Sequence, residues 1–188
     1  MRKVLITYAI KDEVIPINLK NSEVKYIITG VGKTRAAMKL TEAICLQRPD
    51  LVLNIGTSGS LDHGVGEVFV CNRFIDRDYQ LVTLPGIEYE LDFSSLPEIK
   101  AIMQKWDISP YFVGTCNTGD GFVTEADSVN GNVVDMEAFA LATVCKEFNI
   151  PFLAVKYITD IIGHNSVKHW EDKLADAREA LKIWFKDK

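Results

Sequence analysis

The sequence predicts an α/β fold: a single domain, residues 1–188, in which three layers (α/β/α) surround a central mixed, largely parallel, twisted sheet. Short β-branched runs alternate with amphipathic stretches along the chain, as in proteins whose helices cover a sheet. The run at residues 48–56 is a turn followed by almost continuous apolar residues, which is typical of a strand covered on both faces. With 188 residues, 47% of them apolar, the chain is long enough to bury a core.

The individual elements follow from these patterns. Strands are predicted at residues 3–9, 24–30, 48–56, 66–75, 111–119 and 151–159. Helices are predicted at residues 33–47, 94–106, 136–148 and about 170–186.

Each predicted helix has its own signal. In the first, Ala37, Leu40, Ile44 and Leu46 lie roughly on one side, and in the second Ser95 is a plausible N-terminal cap. In the third, Asp135 can cap the helix, while Asn149 and then Pro151 close it. The last helix presents one apolar face, made of Trp170, Leu174, Ala177, Leu181 and Trp184.

Composition excludes several classes of function. The net charge of −5 makes nucleic acid or an anionic membrane an unsuitable partner, and no apolar stretch approaches the roughly 18 residues that span a bilayer. The four cysteines form no CxxC motif, so we expect free thiols and a cytoplasmic protein. The three histidines share no ligand spacing with cysteines or carboxylates, so we expect no metal and no other cofactor.

Two glycine-rich stretches follow predicted strands. GVGKT (30–34) resembles the end of a phosphate-binding loop, but Ile27 occupies the position where that motif needs its first glycine. A tight turn between strand and helix is therefore the better interpretation. NIGTSGSL (54–61) is either an ordinary turn or a place where the backbone approaches a ligand, and the residues alone favour neither.

Carboxylates at both ends of an apolar segment need an explanation. Met136 and Glu137 lie where the third helix is predicted to begin, and Asp160 follows the strand after it. Glu137 could simply complement the helix dipole, and Asp160 could cap the next element. A functional role is the alternative, because ionisable groups in apolar surroundings are costly. Glu13, taken alone, is a loop charge.

Together these stretches resemble a known family. NIGTSGSL, then TGDGFV (118–123), then VDMEAFALATVCKEFNIPFLAVKYITD (134–160) is similar to the nucleoside phosphorylase/nucleosidase superfamily. The resemblance is strongest to 5′-methylthioadenosine/S-adenosylhomocysteine nucleosidases, which cleave the N-glycosidic bond of purine nucleosides. It covers most of the chain, and the Met-Glu helix start combined with the strand-end Asp is its specific part.

The resemblance implies roles for the carboxylates. By position, Glu137 would bind the ribose hydroxyls, with Met136 packed against the sugar. Asp160 would protonate N7 of the purine, and Glu13 would hold and activate the attacking water. General acid catalysis suits this reaction, since negative charge develops on the departing base.

It also implies the rest of the binding site. Phe122 would stack on the base and Val123 would offer it backbone hydrogen bonds. Thr57, Ser58 and Gly59 would line the ribose and water side.

The chain departs from the family at several positions. Lys156 and Thr159, both expected to bind substrate, replace the family's Arg and Ser. The segments 14–24 and 76–94 are shorter than in typical members, which leaves the substrate open among methylthioadenosine, adenosylhomocysteine, futalosine and other purine nucleosides.

The resemblance also bears on the nucleophile. Phosphorylases of the superfamily carry an arginine where this chain has Asn54, so water is the expected nucleophile. A phosphorylase and a nucleoside-binding protein without turnover are the alternatives. The family implies a homodimer, and Leu81–Leu84 could contribute to its interface.

Overall fold

The computed structural model describes residues 1–82, 85–123, 129–163, 166–186 and 188, without the side chains of residues 166–171. The strands are β1 (Arg2–Tyr8), β2 (Ser22–Ile28), β3 (Leu51–Ser60), β4 (Val68–Asp76), β5 (Glu90–Asp92), β6 (Val113–Thr118), β7 (Val133–Asp135) and β8 (Phe152–Ile161). The helices are α1 (Lys33–Leu46), α2 (Pro97–Trp106), α3 (Ala138–Glu147) and α4 (Ser166–Phe185), with short 3₁₀ turns at Lys11–Glu13 and Pro110–Phe112.

All eight strands belong to one mixed sheet, which confirms the predicted α/β class. Strand β1 lies between β2 and β3 and is parallel to both. Strand β3 then pairs with β8, β8 with β4, β4 with β6, β6 with β7, and β7 with β3 again. Five strands therefore close into a ring, so one half of the sheet is barrel-like rather than open.

Helices cover both faces of the sheet. Helix α1 packs on α3, while α3 and α4 each pack on β3, β4 and β8, with little or no contact between α3 and α4 among the described residues. They therefore lie on opposite faces and complete the predicted three layers. Within the described part of the chain, no helix is both long and apolar enough to cross a membrane.

Strand β3 differs from the prediction, which ended it at Gly56. It continues to Ser60, through the stretch for which an ordinary turn and a ligand-approaching loop were the alternatives, because β8 pairs with it along its length and β7 joins at Gly59 and Ser60. Tertiary pairing here overrides the low strand propensity of glycine.

The start of the third helix also differs from the prediction. Val133–Asp135 forms a short strand between β3 and β6, so α3 begins only at Ala138. Asp135 still pairs with a free backbone donor at the start of the helix, because its Oδ2 accepts the backbone N–H of Ala138 at 2.9 Å. The predicted capping interaction is present, but it is made from the end of a strand.

The other helices show smaller differences. Ser95 does not cap α2, which begins at Pro97 with Leu96 extended, as the residue before a proline prefers. In α1, Leu40 and Ile44 are buried as predicted, whereas Leu46 is exposed. In α4, Ala177 and Leu181 are buried and Leu174 and Trp184 are partly buried, while the side chain of Trp170 lies outside the description.

Candidate active site

A cavity of about 260 Å³ lies beside the strand ring. All the predicted site residues line it: Glu13, Thr57, Ser58, Gly59, Phe122, Val123, Met136, Glu137, Lys156, Thr159 and Asp160. Asn54, Gly56, Arg77 and Asp135 line it as well. Residues from both ends of the chain thus meet in one place, whereas the described residues hold no group of three or more His, Cys, Asp and Glu that could bind a metal ion.

Glu13 is not the solvated loop charge that its sequence context alone suggests. It lies in the 3₁₀ turn after β1, is 6% exposed, and its Oε1 accepts both the N–H and the hydroxyl of Thr57, each at 2.9 Å. A Cβ atom at Gly56 would lie 2.9 Å from the same oxygen. Because Gly56 has no side chain, the Glu13 carboxylate can lie directly against β3.

Asp160 is held in a similar way on the neighbouring strand. A register shift in the β3–β8 pairing brings it opposite Gly59, where a Cβ atom would lie 2.9 Å from its Oδ2. The Thr159 hydroxyl lies 2.7 Å from Asp160 Oδ1 and 3.2 Å from the carbonyl oxygen of Ser58. The two glycines of the GTSG stretch thus each make room for one carboxylate.

Asp135 and Lys156 form a buried ion pair in the cavity wall. Lys156 Nζ lies 2.7 Å from Asp135 Oδ2, and both side chains are 2% exposed. The Thr118 hydroxyl donates to the other oxygen at 2.6 Å. Burial alone would raise the pKa of Asp135, but Lys156, Thr118 and the Ala138 N–H together lower it. Burial opposes the charge on Lys156 too, yet the surrounding anions raise its pKa.

Glu137 has a different environment. It is 6% exposed at the N-terminus of α3, and its Oε1 accepts the backbone N–H of Gly32 at 2.9 Å. Burial, reinforced by the charge of Asp135, raises the pKa of Glu137 to about 7. At neutral pH this carboxyl group is therefore poised between its two protonation states.

The turn at GVGKT serves carboxylates rather than phosphate. Gly30 and Gly32 adopt φ values of 81° and 95°, which confirms the tight turn. Besides the Gly32 N–H bound to Glu137, the N–H of Lys33 donates to Asp120 Oδ1 at 2.8 Å. Backbone donors that a nucleotide loop would direct at phosphate are thus bonded within the protein.

Arg77 is a cavity residue that the sequence analysis missed. It follows β4 directly, is 9% exposed, and donates to the Asn117 carbonyl and side-chain oxygens and to the Gly121 carbonyl. It thereby supports the stretch that carries Phe122 and Val123. Its position immediately after a strand was the available signal, since ligands bind where such strands end.

Three buried polar atoms of the cavity residues have no hydrogen-bond partner in the part of the chain that the structure describes. They are Glu13 Oε2, Asn54 Oδ1 and Ser58 Oγ. The orientation of the Asn54 amide is fixed, because its Nδ2 donates to the carbonyl and hydroxyl oxygens of Thr7. Asn54, Gly56 and Ser58 alternate along β3, so these atoms lie on the face that Glu13 covers.

Comparison with known proteins adds a family to this geometry. The family model of the phosphorylase superfamily matches residues 11–184. A 5′-methylthioadenosine/S-adenosylhomocysteine nucleosidase from Marinomonas sp. is 30% identical over 179 residues, which covers 85% of this chain and 78% of that protein. The protein of the same name from Buchnera aphidicola is 27% identical over 175 residues, covering 82% and 74%.

Solved structures share the fold. A mutant of the Helicobacter pylori nucleosidase with 5′-methylthioadenosine in its active site superimposes with a TM-score of 0.83 at 19% identity, covering 99% of this chain and 97% of that one. Helicobacter pylori futalosine hydrolase gives a TM-score of 0.83 at 18% identity, covering 99% and 96%. At these identities the likeness establishes the fold alone.

Proposed function

Because the chain belongs to the phosphorylase superfamily, we propose that it is a purine nucleoside N-ribosyl hydrolase, which cleaves the N-glycosidic bond with water and releases a free purine base. The relatives named above, including one that is 30% identical, are nucleosidases, and this supports hydrolysis. The structure supports it independently through the hydrogen-bonding character of the cavity.

The observation that carries the proposal is the pair of acceptors without partners, Glu13 Oε2 and Asn54 Oδ1. A water molecule has two hydrogens to donate and suits such a pair. The phosphate dianion HPO4²⁻ has a single hydrogen to donate, so it would leave at least one of these oxygens unpaired and would bring its negative charge against Glu13. The cavity is therefore better suited to hydrolysis than to phosphorolysis.

The cations of the cavity favour the same conclusion. Arg77 lies in the cavity wall, although the sequence has Asn54 at the position where phosphorylases of the superfamily carry an arginine. Its guanidinium donates to protein oxygens at Asn117 and Gly121, and the Lys156 ammonium is paired with Asp135. Phosphate recognition would draw on these groups at the expense of contacts that hold the cavity together.

In the proposed mechanism the carboxylates divide the work. Asp160 donates a proton to N7 of the purine as the C–N bond breaks, which neutralises the departing base. Ionised Glu137 binds the ribose hydroxyls and stabilises the positive charge that develops on the sugar, against which Met136 packs. Glu13 orients the water that attacks the sugar and accepts its proton.

The remaining cavity residues position the substrate. Phe122 stacks on the base and the Val123 backbone bonds to its edge, while Thr57, Ser58 and Gly59 line the sugar and water side. Thr159 orients Asp160. Lys156 acts through Asp135, which it holds ionised beneath the start of α3.

We propose 5′-methylthioadenosine and S-adenosylhomocysteine as the first substrates to test, because the nucleosidases named above carry both compounds in their names. Futalosine belongs in the same panel, since a futalosine hydrolase shares the fold. Adenosine and inosine test whether the 5′ substituent matters.

The test is chromatographic detection of free base from this panel, with and without phosphate, using Asp160→Asn as the control. Base release without phosphate is the expected result, and Asp160→Asn should lose turnover while still binding nucleoside. Strict dependence on phosphate would replace the hydrolase by a phosphorylase. Nucleoside binding without any base release would identify a binding protein.

Two further properties complete the proposal. The protein is a homodimer, supported by the exposed side chain of Leu81 in the predicted interface segment 81–84, of which Thr83 and Leu84 lie outside the described residues. Light scattering at micromolar concentration would test this, and a monomer mass would refute it. A cytoplasmic location is supported by the four free cysteines, three of them buried.

A further inference from the structure

We propose that Lys33 is a positioning residue that fixes the base side of the cavity. The segment concerned is residues 119–123, here called the base-side loop, which includes Phe122 and Val123. The inference rests on the proposed function, since it assumes that a purine occupies this side.

The Lys33 side chain binds two carboxylates at the end of β4, those of Asp76 and Asp78. Its ammonium group lies 2.9 Å and 3.0 Å from the two oxygens of Asp76, and 2.6 Å from Asp78 Oδ2. Asp76 is the last residue of β4, so Lys33 connects the start of α1 to the sheet.

The same carboxylates continue into the base-side loop. Asp78 Oδ2, which binds the Lys33 ammonium, also accepts the backbone N–H of Asp120 at 3.1 Å. The Asp120 side chain in turn accepts the backbone N–H of Lys33 at 2.8 Å. Lys33 and the loop therefore share two carboxylates, Asp78 from the segment after β4 and Asp120 from the loop itself.

Burial distinguishes this cluster from an ordinary surface ion pair. The side chains of Lys33 and Asp76 are 14% and 4% exposed and that of Asp78 is 42% exposed, whereas those of Lys39 and Glu42, paired on the same helix, are 46% and 59% exposed. Exposed pairs contribute little, but a mostly buried pair with good geometry fixes the groups that it joins. Lys39 is therefore a matched control.

The ribose side of the cavity provides an internal reference. Gly32, next to Lys33, contacts Glu137 through its backbone N–H, which side-chain substitutions at Lys33 retain. Loss of the Lys33 ammonium should therefore weaken binding of the base more than binding of the sugar.

The experiment is isothermal titration of the 188-residue protein with adenine, with hypoxanthine, and with an iminoribitol that carries no base. For Lys33→Met we expect the Kd of the preferred base to rise about tenfold, as for loss of a charge-assisted contact. The Kd of the iminoribitol should change less than about twofold, and Lys39→Met should match the wild type.

A second variant guards against misfolding of the first. Asp120 is exposed, so Asp120→Ala should fold normally and should weaken base binding in the same selective way. Unchanged base affinity in both variants, or equal weakening of base and iminoribitol, would overturn the inference. A wild-type protein that binds neither base would overturn the proposed function instead.

Discussion

Asp135 and Glu137 are two residues apart, both are more than nine-tenths buried, and their pKa values move in opposite directions. Asp135 receives a lysine ammonium, a threonine hydroxyl and a backbone N–H, and its pKa falls below the usual value. Glu137 receives one backbone N–H, and its pKa rises to about 7.

The difference shows that hydrogen-bond donors and neighbouring charges, rather than depth of burial, determine in which direction the pKa of each carboxyl group moves. The lowered pKa of Asp135 favours its ionised form, which holds Lys156 and the start of α3 in place. Glu137 can change its charge near neutral pH, as a group that must respond to a ligand requires.

The largest expected effect comes from removing the partner of Asp135. Lys156→Met leaves a buried anion without a counter-ion, which should lower the free energy of unfolding by about 3–5 kcal/mol in urea titrations. Lys39→Met, which breaks only an exposed pair, should change it by less than about 0.5 kcal/mol. Adding Asp135→Asn to Lys156→Met should restore much of the loss, and a double variant as unstable as the single one would contradict the pairing.

The opposite effect on stability is expected at Glu137. Because its pKa is raised from 4.5 to about 7, ionisation costs folding free energy as the pH rises through that window, and none below it. Glu137→Gln should therefore be more stable than the wild type at pH 8, by up to about 3 kcal/mol, and equal to it near pH 4.5. Urea titrations at both pH values decide this, and equal stability at pH 8 would argue against the raised pKa.

Glu13 and Asp160 sharpen the comparison, because each lies against a glycine. Gly56→Ala and Gly59→Ala should displace these carboxylates and lower kcat/KM about 10- to 100-fold. Gly64→Ala, where the new Cβ would be 3.7 Å from its nearest neighbour, should keep wild-type kinetics. Normal kcat/KM in Gly56→Ala and Gly59→Ala would show that activity does not depend on the exact positions of the Glu13 and Asp160 carboxylates.

The smallest effect concerns the pH dependence of activity. In the proposed mechanism ionised Glu137 binds the ribose, so kcat/KM should fall about tenfold per pH unit below about 7. The charge of Asp135 helps to raise that pKa, so Asp135→Asn should move the midpoint to lower pH, by about one unit or less. A midpoint that stays in place or rises would mean that another group controls the acid limb.

The sequence was sufficient for the fold class, and the site residues that its family resemblance implied all line one cavity, although Arg77 was missed. The sequence failed where long-range pairing decides the structure. Val133–Asp135 is too short to show a period, and the glycines of β3 suggest a turn until β8 is known to lie beside them. The Lys156–Asp135 pair joins two different strands, so neither residue indicates its partner.

The closed ring of strands also has a consequence for the newly made chain. Strand β1 pairs with the first four residues of β3, so the glycine-containing remainder of β3 acquires its neighbours only when β7, about 75 residues later, and β8, about 100 residues later, have been synthesised. At about 5–20 residues per second the segment emerges with both edges open for several seconds or longer. Glycines make a poor template for intermolecular β-sheets, so we expect the residues that make room for the carboxylates also to reduce the tendency of the nascent chain to aggregate.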